Sequence, residues 1–154
     1  MKTILVVCTG NICRSPLVTG FIQAQIDGYG VEDEVCVKSA GIFAVVGSSA
    51  SKHSVDILAE MDIDITHHIA RTIDIDDIEE ADLILVMEES QRRSLFHLAP
   101  QYLHKVLLFN ELIDRHDDVR DPYGQDRAAY EAIAQHTKEV IEGNWFKIMD
   151  RLGV

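Results

Sequence analysis

Cysteine is scarce in this chain, and so is positive charge. Three cysteines, Cys8, Cys13 and Cys36, stand among 154 residues. An odd number without a dense framework excludes a secreted scaffold stapled by disulfides. No Cys/His spacing resembles a zinc site. The adjacent His67-His68 pair splits its rings onto different sides of an extended or turn segment, so no metal is expected. Lys and Arg number 14 against 26 Asp and Glu, for a formal net charge of −12. No basic run exists to neutralise phosphates, so nucleic acid is not an expected partner. Any anionic substrate must be held by a local positive site against the overall field. No segment reaches the roughly 18 consecutive apolar residues of a membrane helix, and membrane insertion is not expected. The apolar start, Ile4 to Val7, is interrupted by Cys8, Gly10, Asn11 and Arg14, where a secretory signal would stay apolar. It reads as the buried first strand of a cytoplasmic protein.

What is present is an alternation of short strands and helices. Lys2 to Val7 is an apolar run that ends in a Gly-containing loop, as a central parallel strand does. Ser15-Pro16 opens a helix, since Ser can cap and Pro suits the first helical position. Gly28 and Gly30 end it. Val35 to Lys38 reads as a second strand, closed by Ser39-Ala40-Gly41, and Ala50 to Met61 as a helix. The acidic stretch from Asp74 to Asp82 carries Ile73, Ile75 and Ile78 inward. Leu83 to Met87 is a third strand, Glu88 to Leu98 a helix stopped by Pro100, and Val106 to Phe109 a fourth strand. Asp121-Pro122-Tyr123-Gly124 is a turn. One last helix spans about 127–152, weakened midway by Gly143. No repeat or linker divides the chain. The expected fold is a single α/β domain over 1–154: a four-stranded parallel sheet, order 2-1-3-4, with helices on both faces. Such sheets bind ligands beyond the carboxyl ends of their strands.

The loop after the first strand is Cys8-Thr9-Gly10-Asn11-Ile12-Cys13-Arg14-Ser15-Pro16. Successive backbone N–H groups can curl into an anion-binding nest, and the helix that follows adds its N-terminal partial positive charge. The same field favours the thiolate of Cys8. Arg14 supplies a planar fork for two phosphoryl oxygens. Gly10 permits the backbone angles of a tight turn. A thiolate in a phosphate-sized cradle is set to attack phosphorus and form a phosphocysteine. The departing group then needs a proton. Asp121 is the candidate acid, with Asp114, Asp117 and Asp118 as nearby rivals.

These segments resemble the low-molecular-weight protein tyrosine phosphatases, a likeness that covers nearly the whole chain. The loop matches as Val7-Cys8-Thr9-Gly10-Asn11-Ile12-Cys13-Arg14-Ser15-Pro16, and the acid motif as Asp121-Pro122-Tyr123. Between them lie Ser39-Ala40-Gly41, His68-Ile69-Ala70-Arg71 and Ala81 to Met87, in the family's order. The resemblance implies that Cys8 is the nucleophile, Arg14 the phosphate ligand and Asp121 the general acid, later the base. It implies a hydrogen bond from Ser15 to the thiolate, and a network of Asn11, Ser39 and His68 that holds the loop. Cys13 would pair with Cys8 under oxidation. Thr9, Gly10, Ile12, Phe43 and Tyr123 would complete the substrate pocket. No cofactor is implied.

The segment after Gly47, Ser48-Ser49-Ala50-Ser51-Lys52-His53, departs from the Pro, Asp and Arg of many members. The apolar loop from Ile42 to Val46 resembles bacterial members, which commonly reverse a tyrosine kinase that controls exopolysaccharide export. The expected partner is therefore a tyrosine-phosphorylated protein, such as that kinase. A protein-arginine phosphatase is the alternative. In those relatives the position of Ile12 resembles Thr, so aliphatic Ile12 implies phosphotyrosine. An arsenate reductase on the same fold would need relay cysteines between Met87 and Leu98, and there are none. A sugar-transport phosphocarrier would not need an acid such as Asp121. An anion-binding docking module would need neither nucleophile nor acid.

Overall fold

A computed structural model describes residues 1–154. Four parallel strands make its sheet: β1 (Lys2–Cys8), β2 (Val35–Gly41), β3 (Leu83–Val86) and β4 (Val106–Leu108). Their order is β2-β1-β3-β4, so the chain reverses direction across the sheet between β1 and β3. Side chains alternate along each strand. Ile4, Val6 and Cys8 of β1 join Leu83, Leu85 and Met87 in one core. Helices α1 (Arg14–Tyr29), α2 (Lys52–Ala59), α5 (Arg127–Gly143) and α6 (Trp145–Leu152) pack there. Leu5 and Val7 join Ile84 and Val86 in a second core beneath α3 (Ile75–Glu80) and α4 (Glu89–Leu98). Helices thus cover both faces, as expected.

Several details differ from the sequence reading. Helix α1 starts at Arg14 after Cys13, so Ser15 does not cap it and turns its hydroxyl to Cys8 and Asn11 instead, and α2 is shorter than 50–61. Strand β2 does not stop at Lys38; it runs to Gly41, with Cys8 paired to Gly41 at the strand ends. The short helix α3 buries Ile78, whereas Ile75 at its first position is 46% exposed. Its turn and a half offers one inward position, and the capping box of Asp74 and Asp77 fixes where it starts. The last helix is two helices. Gly143 lowers helix propensity by about 1 kcal/mol, and the Asn144 amide donates to the Val140 carbonyl at 2.8 Å, competing with the helical ladder. The break turns Trp145 into the core at 2% exposure, where its ring stacks with that of Tyr29 at 6.2 Å.

That anchor fixes α6. Trp145→Ala should lower the unfolding free energy by about 3–5 kcal/mol, measured by urea denaturation. A loss under about 1 kcal/mol would mean that α6 docks without it.

Candidate active site

The loop from Cys8 to Arg14 leaves the carboxyl end of the central strand β1 and enters α1. Its carbonyls are tied outward one after another. Cys8 O accepts from Ile42 N–H, Thr9 O from Phe43 N–H and Gly10 O from Val45 N–H, at 2.9–3.1 Å. Asn11 O accepts from His68 Nε2 at 2.6 Å. Ile12 O accepts from Ser51 N–H at 2.7 Å, and Cys13 O from Ser54 Oγ at 3.2 Å. In a trans peptide, C=O and the next N–H point in opposite directions, and the chain has no cis peptide. Tying carbonyls 8–13 outward therefore turns the N–H groups of 9–14 inward. The Asn11 N–H shows the direction, since it donates to Cys8 Sγ at 3.2 Å. Those of Thr9, Gly10, Ile12, Cys13, Arg14 and Ser15 have no acceptor within the protein. Together they form an anion nest at a helix N-terminus.

Asn11 makes this possible. It sits at φ 60°, a conformation that costs an ordinary residue about 1–2 kcal/mol. Its side chain is fully buried and saturated. Nδ2 donates to Ser15 Oγ at 2.8 Å and Ser39 Oγ at 3.1 Å, while Oδ1 accepts from Arg71 N–H at 3.0 Å. Because Ser15 Oγ already accepts from Asn11, its own O–H is free for Cys8 Sγ, 3.0 Å away. Two donors then face the sulfur, and they stabilise it when it carries negative charge. The loop-supporting set of Asn11, Ser39 and His68 is thus brought together. Since a carbonyl can only accept, His68 Nε2 carries the proton. Arg71 is itself held by a bidentate pair with Asp77 at 2.8 Å.

Cys8, Thr9, Gly10, Ile12, Cys13 and Arg14 line one pocket of about 280 Å³ with Phe43, Val45, Asp121 and Tyr123. The Arg14 side chain is 1% exposed. Nη1 donates to Glu88 Oε1 at 2.5 Å and to Val119 O at 2.8 Å. Nη2 lies 3.7 Å from Asp121 Oδ2, and Nε is buried without a partner. The other Asp121 oxygen accepts from Tyr123 N–H at 3.0 Å, which aims the carboxylate along the pocket wall. The rival acids are placed elsewhere. Asp117 pairs with Arg115, Asp118 accepts from Glu89 N–H, and Asp114 is exposed in a left-handed turn.

Several functional neighbours were not read from the sequence. Glu88 clamps Arg14. The buried Gln91 donates to Thr9 Oγ1 at 3.1 Å and accepts from Met87 and Glu88 N–H. Both lie in the turn and helix start that follow β3, and the rule that ligands gather at strand carboxyl ends could have flagged them. Tyr130 OH lies 3.3 Å from Cys13 Sγ. Burial pushes the Cys13 thiol up; burial, with Cys13 beside it, pushes the Tyr130 hydroxyl up to about 12. Nothing in the sequence pattern pointed to Tyr130. All three cysteines are free thiols. A larger groove of about 660 Å³ between α1 and residues 62–68 holds no cysteine, and Asp27, Asp62 and Asp64 on its walls would repel phosphate.

The family model described as low molecular weight phosphotyrosine protein phosphatase matches residues 3–152. The chain belongs to that family. The family is one of protein-tyrosine-phosphatases, a hydrolase class. The chain is 36% identical over 132 residues to the low molecular weight protein-tyrosine-phosphatase Wzb of Escherichia coli, covering 86% of this chain and 85% of that one. The crystal structure of the low molecular weight protein tyrosine phosphatase of T. tengcongensis superposes with a TM-score of 0.89 at 36% identity, covering 96% and 99% of the two chains. The YwlE arginine phosphatase of Geobacillus stearothermophilus superposes at 0.88 with 28% identity, over 97% and 94%.

Two outcomes check this geometry. A Cβ on Gly41 would lie 2.6 Å from Thr9 O and 3.0 Å from Asn11 Cβ, and the backbone there cannot yield without moving the loop. Gly41→Ala should cut phosphatase turnover by about 10²-fold or more; near-normal turnover would show that the loop tolerates displacement. The second concerns pH. Burial lowers the His68 ring below its ordinary value of 6.5, while the Asn11 carbonyl works the other way. The unfolded chain therefore binds the proton more readily. The resulting stability is complete above about pH 6.5 and is lost as pH falls through the depressed folded value. His136 is also lowered by burial, so a comparison isolates His68. Wild type should lose melting temperature between pH 7 and pH 5 more steeply than His68→Gln. Equal slopes would mean that His68 does not contribute.

Proposed function

We propose that the chain removes phosphate from tyrosine side chains of proteins through a phosphocysteine intermediate. The observation that carries this reading is that the unpaired inward N–H groups, the Arg14 side chain and the Asp121 carboxyl share one pocket with Cys8. The nest and Arg14 hold the phosphoryl oxygens, and the unpaired Arg14 Nε is a further donor for them. Cys8 sulfur attacks phosphorus, and the bond from phosphorus to the tyrosine oxygen breaks. Asp121, protonated, gives its proton to that oxygen. Asp121, now a carboxylate, takes a proton from a water whose oxygen attacks the phosphocysteine, releasing phosphate and restoring the Cys8 thiolate. Asn11, Ser15, Ser39 and His68 position the loop. Thr9, Gly10, Ile12 and Cys13 supply its walls and donors.

Phe43 and Tyr123, both in the pocket lining, support an aromatic substrate, because flat rings stack on such side chains. Ile12 supports it too. It offers no polar partner, and a guanidinium desolvated there would cost about 1–3 kcal/mol. A protein-arginine phosphatase is the second reading, favoured by the likeness to YwlE. An arsenate reductase gains no support, since Cys36 lies on β2 beside Thr3. We assign the enzyme to the cytoplasm. The apolar loop from Ile42 to Val46 supports a bacterial tyrosine kinase that governs exopolysaccharide production as its partner.

Leaving-group dependence tests the roles. Cys8→Ser should abolish turnover of p-nitrophenyl phosphate while vanadate still binds. Asp121→Asn should lower the rate on phenyl phosphate by about 10²–10⁴-fold, and less on p-nitrophenyl phosphate, whose leaving group departs without a proton. Equal losses would make Asp121 a structural residue, and retained activity in Cys8→Ser would end the covalent mechanism. Phosphotyrosine and phosphoarginine peptides compared by kcat/KM decide the substrate.

A further inference from the structure

We infer that the pocket mouth continues into an apolar docking strip, made by Val46 and Ile69, for the residues flanking the phosphorylated side chain, and that it selects apolar flanks. This rests on the phosphatase reading above. Twelve large apolar side chains are exposed, and five of them, Phe43, Val45, Val46, Ile69 and Tyr123, belong to the pocket lining or to segments tied to its loop. Phe43, Val45 and Tyr123 line the pocket. Val46 and Ile69 do not, yet they are 71% and 67% exposed on segments bonded to each other and to the loop. Gly47 N–H donates to Ala70 O and Ala70 N–H to Ser48 O, at 2.9 and 2.8 Å. The first segment holds Gly10 O through Val45 N–H, and the second holds Asn11 O through His68. These side chains are thus displayed by well-anchored backbone, not by fraying ends. Exposed apolar surface concentrated on such a rim marks a binding surface.

Charge points the same way. The chain carries 26 acidic residues, yet residues 42–55 and 65–73 contain none. Lys52 and Arg71, which fall within them, are paired with Asp56 and Asp77. An apolar flank laid across this strip strips water from no unpaired charge, so its burial is not opposed by desolvation. The occupant follows from continuity. A phosphorylated side chain with its phosphate at Cys8 leaves its own main chain at the rim, so the neighbouring residues of the substrate must lie across that rim.

The test uses two phosphotyrosine peptides that differ only in Leu/Val or Gly/Ser flanks, with p-nitrophenyl phosphate as a substrate that has no flank. Wild type should favour the apolar-flanked peptide by about tenfold in kcat/KM, the scale of one hydrophobic contact. Val46→Asp and Ile69→Asp should each remove most of that preference and leave p-nitrophenyl phosphate turnover unchanged. Val46→Ser and Ile69→Ser replace them if an Asp variant misfolds. Equal rates on both peptides in wild type, or a preference kept in all variants, would overturn the strip while the phosphatase reading stands. A wild type without p-nitrophenyl phosphate turnover would overturn that reading and the strip with it.

Discussion

The structure depends on one constraint: every carbonyl from Cys8 to Cys13 is hydrogen-bonded away from the pocket. A peptide plane is rigid, so fixing its oxygen fixes its N–H. Six outward bonds therefore create a concave row of donors that no single side chain could supply. The row would otherwise collapse, because a seven-residue loop can satisfy its own donors by turning them onto its own carbonyls. Asn11 at positive φ closes the curve, and its saturated amide offsets the conformational cost. The tethers come from 42–45, from 51–54 and from His68, all distant in sequence from the loop they hold. The rest of the fold holds these three segments around one loop.

Charge is handled as locally as geometry. A chain of net charge −12 repels phosphate at long range, so binding must be decided at contact distance. Arg14 is buried, and a buried guanidinium without partners would be costly. Glu88 and the Val119 carbonyl keep it in place on one side. They leave Nε and the pocket-facing part of the fork to an incoming anion. The backbone donors add positive potential without adding a formal charge, which lets the site exist in an acidic protein. The Val119 link has a second effect. Its N–H donates to Met87 O, so the segment leading to Asp121 is pinned both to the end of β3 and to Arg14. Cys8, Arg14 and Asp121 are thereby fixed to adjacent strand ends.

What was legible in the sequence was what is contiguous. The loop from Cys8 to Pro16 reads directly, because strand, Gly turn, Arg and Ser-Pro follow one another, and Asp121 stands out among its rivals by its Pro turn. The parallel sheet and its covering on both faces follow from alternating strands and helices. The residues missed act across space from ordinary helical positions. Glu88 and Gln91 look like any polar start of a helix, and Tyr130 and Ser54 like helix-face residues. Only the packing of α2, α4 and α5 against the loop gives them a role. The split of the last helix was missed for a related reason. Gly143 alone weakens a helix without ending it; the end needs the Asn144 amide turned onto Val140 O and the pull of a core that accepts Trp145.

The substrate was the least legible part, and the tethers explain why. Residues 42–45 hold the loop through the backbone N–H groups of Ile42, Phe43 and Val45. Any residue except proline can supply those bonds. The side chains of Phe43, Val45 and Val46 point elsewhere, into the pocket wall or to solvent, and are free to change without disturbing the cradle. The same holds for Ile69, since the neighbouring tether is made by His68. Chemistry and recognition therefore sit on the same segments but on different atoms. On these segments backbone atoms hold the cradle, and the side chains are left free to vary with the substrate. A motif built on backbone geometry identifies the first and is silent on the second.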